Sequence, residues 1–317
     1  MNYRRLGRTG LKVSEISLGS WLTYAGYVDE KKSRNIIHEA YESGVNFFDT
    51  ANVYMQGEAE KIVGKALKQY PRDRYVLSTK VYFPMGDGPN DRGLSRKHIM
   101  DQCHASLKRL GVDYLDIYYC HRYDPETPVD ETLRAFDDLI RQGKILYAGV
   151  SEWSAPQITE AIRIADQYTL DKIVVNQPRY NMFQRYIEDD VIPTATKYGV
   201  GQVVFSPLAQ GVLTGKYKRG EKLPENSRAM DPQGKRFVQR FLNEENLIKV
   251  EKLQELADDE GITLVQLALA WVLRLPSVSS AIVGASKPSH IRDNVTASGI
   301  TLSEETIEKV KMILTMA

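Results

Sequence analysis

The sequence predicts a (β/α)8 TIM barrel, and three observations carry the prediction. Strand-like and helix-like segments alternate along the 317 residues, a pattern that builds a parallel sheet. Eight such units follow one another at roughly even spacing, in a chain a little longer than the ~250 residues usual for a closed barrel. The turn after the first strand, LGSWLTYAG, lacks the GxGxxG with which an open doubly wound sheet announces itself.

The units can be justified in order. EISLGSW (15–21) precedes a helix in DEKKSRNIIHEAYESG, where Ile37, Tyr41 and Val45 fall at four-residue spacing. VNFFDTA (45–51) precedes a helix from Glu58 to Leu67. YVLSTKV (75–81) precedes SRKHIMDQCHASLKRLG, with Ser95 as N-cap, a stripe of Ile99, Cys103, Leu107 and Leu110, and Gly111 as stop. YLDIYYCH (114–121) precedes TPVDETLRAFDDLIRQG, in which Thr127 is expected to cap, Pro128 to take the first turn and Gly143 to end the helix. ILYAGVSEW (145–153) leads to a helix at 155–167, and KIVVNQPRY (172–180) to one at 188–198. QVVFSPL (202–208) is followed by a long connection and helices at 243–260 and 263–274. VSSAIVGAS (278–286) leads to a helix at 288–297, and an amphipathic helix at 303–315 follows. The first dozen residues, with GRTG between short apolar runs, read as a β-hairpin capping the barrel bottom. No linker or low-complexity segment divides the chain, so one domain over 1–317 is expected.

Composition narrows the function. With 42 basic and 41 acidic residues the net charge is +1, so no charge excess draws nucleic acid or a membrane surface. No apolar run reaches the ~20 residues that span a bilayer. The N-terminus has no h-region or cleavage site of a signal peptide. Cys103 and Cys120 lie in apolar patterns without CxxC or zinc-like spacing, as expected of reduced, buried thiols in a cytoplasmic protein. GVLTGKY (211–217) has three residues between its glycines and Tyr217 after its lysine, which excludes a P-loop.

Barrel chemistry sits at the C-terminal ends of the strands, and four polar residues stand there. Asp49 ends the second strand, Tyr54 follows it in the loop, Lys80 ends the third and His121 the fourth. Alternation puts Asp49 on the face of Phe47, Lys80 on that of Ser78, and His121 on that of Tyr119 and Ile117. Singly, each has a structural explanation: a turn-capping Asp, a packed Tyr, a solvated Lys, a core His. Together they point further, because a lysine inside a barrel is costly unless a carboxylate pairs with it, and Asp49 is on the neighbouring strand.

FFDTANVY, LSTKV, YYCH and FSPLAQGVLTGK, in this order, resemble the aldo-keto reductase superfamily over essentially the whole chain. IVGASKPSHIRDNV and the GKY…SRA loop resemble the branch that includes potassium-channel β-subunits and related bacterial reductases. The resemblance implies a catalytic tetrad of Asp49, Tyr54, Lys80 and His121 that reduces aldehyde or ketone carbonyls. A phenol of pKa ~10 is a weak acid at neutral pH, and the Lys80 ammonium is expected to lower it, with Asp49 holding Lys80 and His121 orienting the substrate oxygen. Channel β-subunits carry asparagine where His121 stands, which favours an enzyme over a regulatory subunit with low turnover. An aldolase using Lys80 as Schiff base is the remaining alternative. Arg122, beside His121, is expected to be a solvated loop arginine, with a place in the pocket lining as the alternative.

The resemblance also implies NADPH as cofactor. Ser20 and Trp21 lie at the first strand end. Ser151 and Gln177 would meet the nicotinamide amide, and Phe205 would stack on its ring. Ser206, Pro207, Leu208, Ala209, Gly211 and Lys216 would wrap the pyrophosphate, with Arg228 as a second clamp. Gly284, Ser286, Lys287, His290 and Asn294 would hold the adenosine end at a helix N-terminus. No acid opens that loop to bind a free ribose diol, which favours NADPH over NADH. The substrate pocket is expected in loops 22–28, 82–94 and 217–240, with Trp21, Tyr24, Tyr82 and Trp153 as aromatic lining. A homo-oligomer is compatible with these features.

Overall fold

The computed structural model describes residues 1–21, 29–225, 227–232 and 234–316; Tyr24 and loop 22–28 lie outside the described residues. An antiparallel hairpin, β1 (Tyr3–Arg5) and β2 (Lys12–Ser14), comes first. Eight parallel strands then close a barrel: β3 (Ile16–Gly19), β4 (Phe47–Asp49), β5 (Val76–Val81), β6 (Leu115–Cys120), β7 (Ile145–Ser151), β8 (Ile173–Gln177), β9 (Gly201–Phe205) and β10 (Val278–Val283). They pair in sequence order, and β10 closes the ring on β3.

Helices clothe the barrel: α1 (Glu30–Glu42), α2 (Glu58–Leu67), α3 (Arg96–Leu110), α4 (Val129–Arg141), α5 (Ala155–Tyr168) and α6 (Val191–Tyr198) each follow one strand. A short α7 (Lys235–Val238) lies in the long connection. The pair α8 (Glu244–Asp259) and α9 (Leu264–Leu273) precedes β10, and α10 (Pro288–Val295) and α11 (Glu304–Thr315) follow it. The caps are local chemistry. Ser95 accepts from the His98 N–H, and Gly111 ends α3 in the left-handed conformation at φ 68°. One expected cap is not made. Pro128, not Thr127, occupies the N-cap of α4, and Thr127 Oγ1 donates instead to Asp124 Oδ2 at 2.8 Å. Asp124 collects that hydroxyl together with the Leu94 and Glu126 amides, and so ties the loop after β6 to the loop before α3.

Alternation divides the apolar residues into two cores. Phe47, Val76, Ile117, Tyr119, Val175, Val203 and Ile282 fill the barrel, closed by Leu6 and Val13 of the hairpin. The opposite strand faces bury Phe48, Leu77, Tyr118 and their neighbours against the helices. A polar pin crosses the outer layer. Glu60 of α2, with no exposed surface, accepts from Thr79 Oγ1 of β5 at 2.6 Å and from Arg109 Nε of α3 at 2.5 Å. It fixes β5, and with it Lys80, relative to two helices. Beside it Gly64 lets α2 approach α3 closely, since a Cβ there would stand 2.1 Å from the Leu110 carbonyl oxygen. Gly64→Ala should therefore cost about 1–3 kcal/mol or more through overpacking, read as a lower urea midpoint. A midpoint raised by the helix preference of alanine would show that the helices separate freely.

Candidate active site

The site grows from the Asp49–Lys80 pair. Asp49 ends β4, and its Oδ2 accepts from Lys80 Nζ at 2.5 Å. Its Oδ1 accepts from Ser78 Oγ at 2.6 Å and from Gln177 Nε2, across the barrel, at 3.0 Å. Lys80 has no exposed surface, and its Nζ donates also to the Thr50 carbonyl at 2.7 Å. Ser20 Oγ donates to Thr50 Oγ1 at 2.8 Å, so Ser20 steadies the residue that holds the lysine. A buried ion pair is tolerated when its remaining donors and acceptors are satisfied in this way. Burial pulls the Lys80 ammonium below its ordinary value, and the Asp49 carboxylate acts against that pull.

Tyr54 stands in the turn from β4 to α2. After it Met55, Gln56 and Gly57 all take left-handed backbone, at φ 49°, 51° and 90°. Each non-glycine residue there costs ~1–3 kcal/mol, a cost that packing around the turn sustains. The Tyr54 ring lies 5.2 Å from Lys80 Nζ and meets the His121 ring edge-on at 5.7 Å. His121 meets Phe83 on its other side at 4.9 Å. Its Nδ1 is buried without a hydrogen-bond partner among the described residues.

The electrostatics differ from expectation. The Tyr54 phenol is not lowered overall. Burial pushes it far above its ordinary value, and the Asp49 carboxylate pushes the same way; Arg122 opposes them. The physical reason is that desolvation of the phenolate outweighs the cations around it. Burial, Lys80 and Arg122 together hold His121 well below its ordinary value, so its ring is neutral at neutral pH. Lys80 has no exposed surface and does not line the cavity over the site, so it lacks the access a Schiff-base lysine needs.

A cavity of about 840 Å³ opens over these residues. Asp49, Tyr54 and His121 line it, as do Trp21, Ser151, Gln177, Phe205, Ser206, Pro207, Leu208, Gly211, Lys216, Arg228, Gly284, Ser286, His290 and Asn294. Four expected site residues do not. Ser20, Lys80 and Ala209 are buried behind the wall, and Lys287 is exposed at the N-cap of α10. Gln177 and Ser151 are partly engaged: Gln177 Nε2 serves Asp49, and Ser151 Oγ donates to the Gln177 carbonyl at 2.8 Å. Tyr82 and Trp153 pack in the structure and do not reach the cavity; Phe83, one residue on, does.

The segment after β9 is built for close approach. Ser206, Ala209, Gln210 and Gly211 all have left-handed backbone, at φ 56°, 46°, 61° and 95°. Gln210 Nε2 donates to Ser206 Oγ at 2.5 Å, and Arg228 donates to Gln210 Oε1, so the loop is braced from its own side chains. Lys216 lines the cavity, keeps exposed surface and has no ion pair among the described residues. Partial desolvation, then Arg228, bring its ammonium down to about 8. His290 is also held below its ordinary value by burial, Lys216 and Lys287, and its Nδ1 lies 3.4 Å from Ser286 Oγ. Cations gathered with few carboxylates fit an anionic ligand. Asp293, which also lines the cavity, is the acid that inspection of the loop alone leaves out, because it lies one turn into α10.

Other lining residues escape the sequence reading. Arg122 faces the cavity rather than solvent, and Arg179, Gln210, Arg236, Phe237 and Arg240 join it. Arg179 had a signal: it is two residues beyond Gln177, and alternation continued past the strand end aims it inward. Arg236, Phe237 and Arg240 lie in loop 217–240, which the sequence assigns to the pocket without singling out these side chains.

Comparison with known proteins agrees with this architecture. A family model described as Aldo/keto reductase family matches residues 15–315. A probable voltage-gated potassium channel subunit beta of Arabidopsis thaliana is 45% identical over 319 residues, 99% of this chain and 97% of the relative. One of the same name from Oryza sativa is 44% identical over 319 residues, with the same coverage. A Schizosaccharomyces pombe protein named in similar terms is 44% identical over 331 residues, 98% of this chain and 93% of the relative. With its closed barrel and a match over nearly its whole length, the chain belongs to the aldo/keto reductase family of oxidoreductases.

Proposed function

We propose that the chain is an NADPH-dependent reductase of aldehyde or ketone carbonyls, with Tyr54 as the proton donor. One observation carries the reading: a single cavity is lined both by Tyr54, Asp49 and His121 and by the uncompensated cations Lys216 and Arg228. The donor set fits a dinucleotide phosphate. Lys216 and Arg228 meet the pyrophosphate, the open backbone of 206–211 lets amides approach it, and Phe205 offers an aromatic face to the ring. Bound nicotinamide supplies the hydride. His121, neutral and pressed between Tyr54 and Phe83, orients the carbonyl oxygen. As that oxygen gains charge, the Tyr54 hydroxyl donates to it. The raised phenol is always protonated in the resting chain, and an alkoxide is basic enough to take its proton. Arg122 stabilises the phenolate left behind.

Ser286, His290 and Arg228 favour the 2′-phosphate and Asp293 opposes it, so NADPH is preferred over NADH through a balance that salt weakens. Affinity should also depend on pH with a definite sign. The ammonium of Lys216 in the free chain titrates at about 8, so above that pH the phosphate must recruit a proton as it binds. The NADPH dissociation constant should be flat near pH 7, where the 2′-phosphate is already largely dianionic, and rise up to ~10-fold per pH unit above 8. Fluorescence titration of wild type and Lys216→Met checks this. A step that persists in Lys216→Met would assign it elsewhere.

The names of the relatives favour a second reading, a cofactor-occupied subunit of a membrane channel with slow turnover. No helix among the described residues is long and apolar enough to cross a membrane, so a channel would have to be another chain. NADPH oxidation over a panel of aldehydes and ketones separates the readings. Many turnovers per chain support the enzyme; one turnover followed by arrest supports the subunit.

A further inference from the structure

Arg122 is a half-buried cation at the reacting end of the cavity, and no acid of the described chain answers it. Its guanidinium makes one hydrogen bond, from Nη1 to the carbonyl of its neighbour His121 at 2.5 Å. It forms no ion pair among the described residues, and its Cζ lies 5.5 Å from the Phe83 ring centroid. A guanidinium has five donors in a rigid fork, so most of this one is uncommitted. The charges around it are accounted for. Asp49 and Lys80 pair with each other, and the ring of His121 is neutral. Of the other arginines of the cavity, Arg179 lies over Phe205, Arg236 over Phe237 and Arg228 over Trp21, and Arg240 is near Arg179 and Glu152. Arg122, beside Tyr54 and His121, is thus a planar cation that no carboxylate among the described residues takes up.

We propose that Arg122 is a specificity-determining residue that binds a carboxylate on the substrate, so that the preferred carbonyl compounds are oxo-acids or semialdehydes with the carboxylate a short distance from the carbonyl. One fork matched to one planar monoanion is the bidentate arrangement that guanidinium favours. Phosphate, a bulkier dianion, would find a single cation here. Phe83, between Arg122 and His121, offers an apolar wall to the carbon chain that joins the two groups. The inference rests on the reductase reading for its substrates but not for its binding site.

The test compares 4-formylbenzoate with its methyl ester, which lacks the charge at the far end; their different intrinsic reactivity is common to wild type and variants. The ratio of kcat/KM, acid over ester, should exceed about 10 in wild type. It should fall at least about 10-fold in Arg122→Met, chiefly through KM, and be partly kept in Arg122→Lys, which retains charge but not the fork. Using the ratio removes any loss common to both substrates, including one transmitted through Tyr54. Calorimetric titration of benzoate into the NADP-loaded protein gives a second readout, with affinity weakened at least about 10-fold in Arg122→Met. A ratio unchanged by Arg122→Met would overturn the proposal, and so would 4-formylphenyl phosphate being preferred to the carboxylate. If no aldehyde turns over, the reductase reading fails by itself. The benzoate titration then decides Arg122: weakened binding upholds its role and unchanged binding ends it.

Discussion

Tyr54→Phe should lower carbonyl reduction by about 10²–10⁴-fold, the usual contribution of a positioned general acid, and leave NADPH affinity close to wild type. The variant keeps the ring that packs against His121 and lies over Lys80, so turn and cavity are preserved. It loses only the hydroxyl. Because burial and Asp49 hold the phenol far above its ordinary value, and His121 is neutral, neither group titrates between pH 7 and 9. The wild-type kcat should be flat over that window, while cofactor affinity carries the Lys216 step. Steady-state kinetics and a separate NADPH titration check both parts. A Tyr54→Phe enzyme retaining most of the wild-type kcat would remove the residue from proton transfer.

The second large effect concerns Lys80. Lys80→Met leaves Asp49, 4% exposed, as an uncompensated buried charge, and breaking such a pair costs about 3–5 kcal/mol. It also bares the carboxylate that already pushes the phenol up, so reduction should slow together with the loss of stability. Asp49→Asn combined with Lys80→Met restores neutrality and keeps an amide oxygen to accept from Ser78 Oγ and Gln177 Nε2. The double variant should regain most of the stability, and more of the rate than the single variant keeps. Thermal or urea unfolding with single-turnover kinetics on the three variants gives the answer. A double variant no more stable than Lys80→Met would show that the lysine is held for packing rather than for charge.

The parts legible in the sequence are those governed by short-range periodicity. Alternation along FFD, LSTK and YYC aims Asp49 and Lys80 inward and brings His121 to the rim, and the helix from Glu58 to Leu67 has its expected bounds. What was not legible depends on the path of loops. Arg122 follows a strand end, and the direction of the next turn decides between solvent and cavity. Tyr82 and Phe83 differ by one residue, and it is Phe83 that lines the cavity. Thr127 looks like a cap, but Asp124, three residues earlier, is the better use for its hydroxyl. Asp293 is separated from Ser286 in sequence and joined to it only when α10 forms. The sign of the Tyr54 shift is hidden for a related reason: proximity to Lys80 is readable from adjacent strands, but not the burial of the phenol that outweighs it.

The central claim is that this cavity transfers hydride to a carbonyl carbon while Tyr54 supplies the proton. The most direct measurement gives the wild-type chain NADPH deuterated at C4 and an excess of aldehyde, and follows the label by mass spectrometry. The account predicts an alcohol carrying one deuterium on the former carbonyl carbon, formed in many equivalents per chain and suppressed in Tyr54→Phe. NADPH consumed without labelled alcohol, or label that stops at one equivalent per chain, would contradict it.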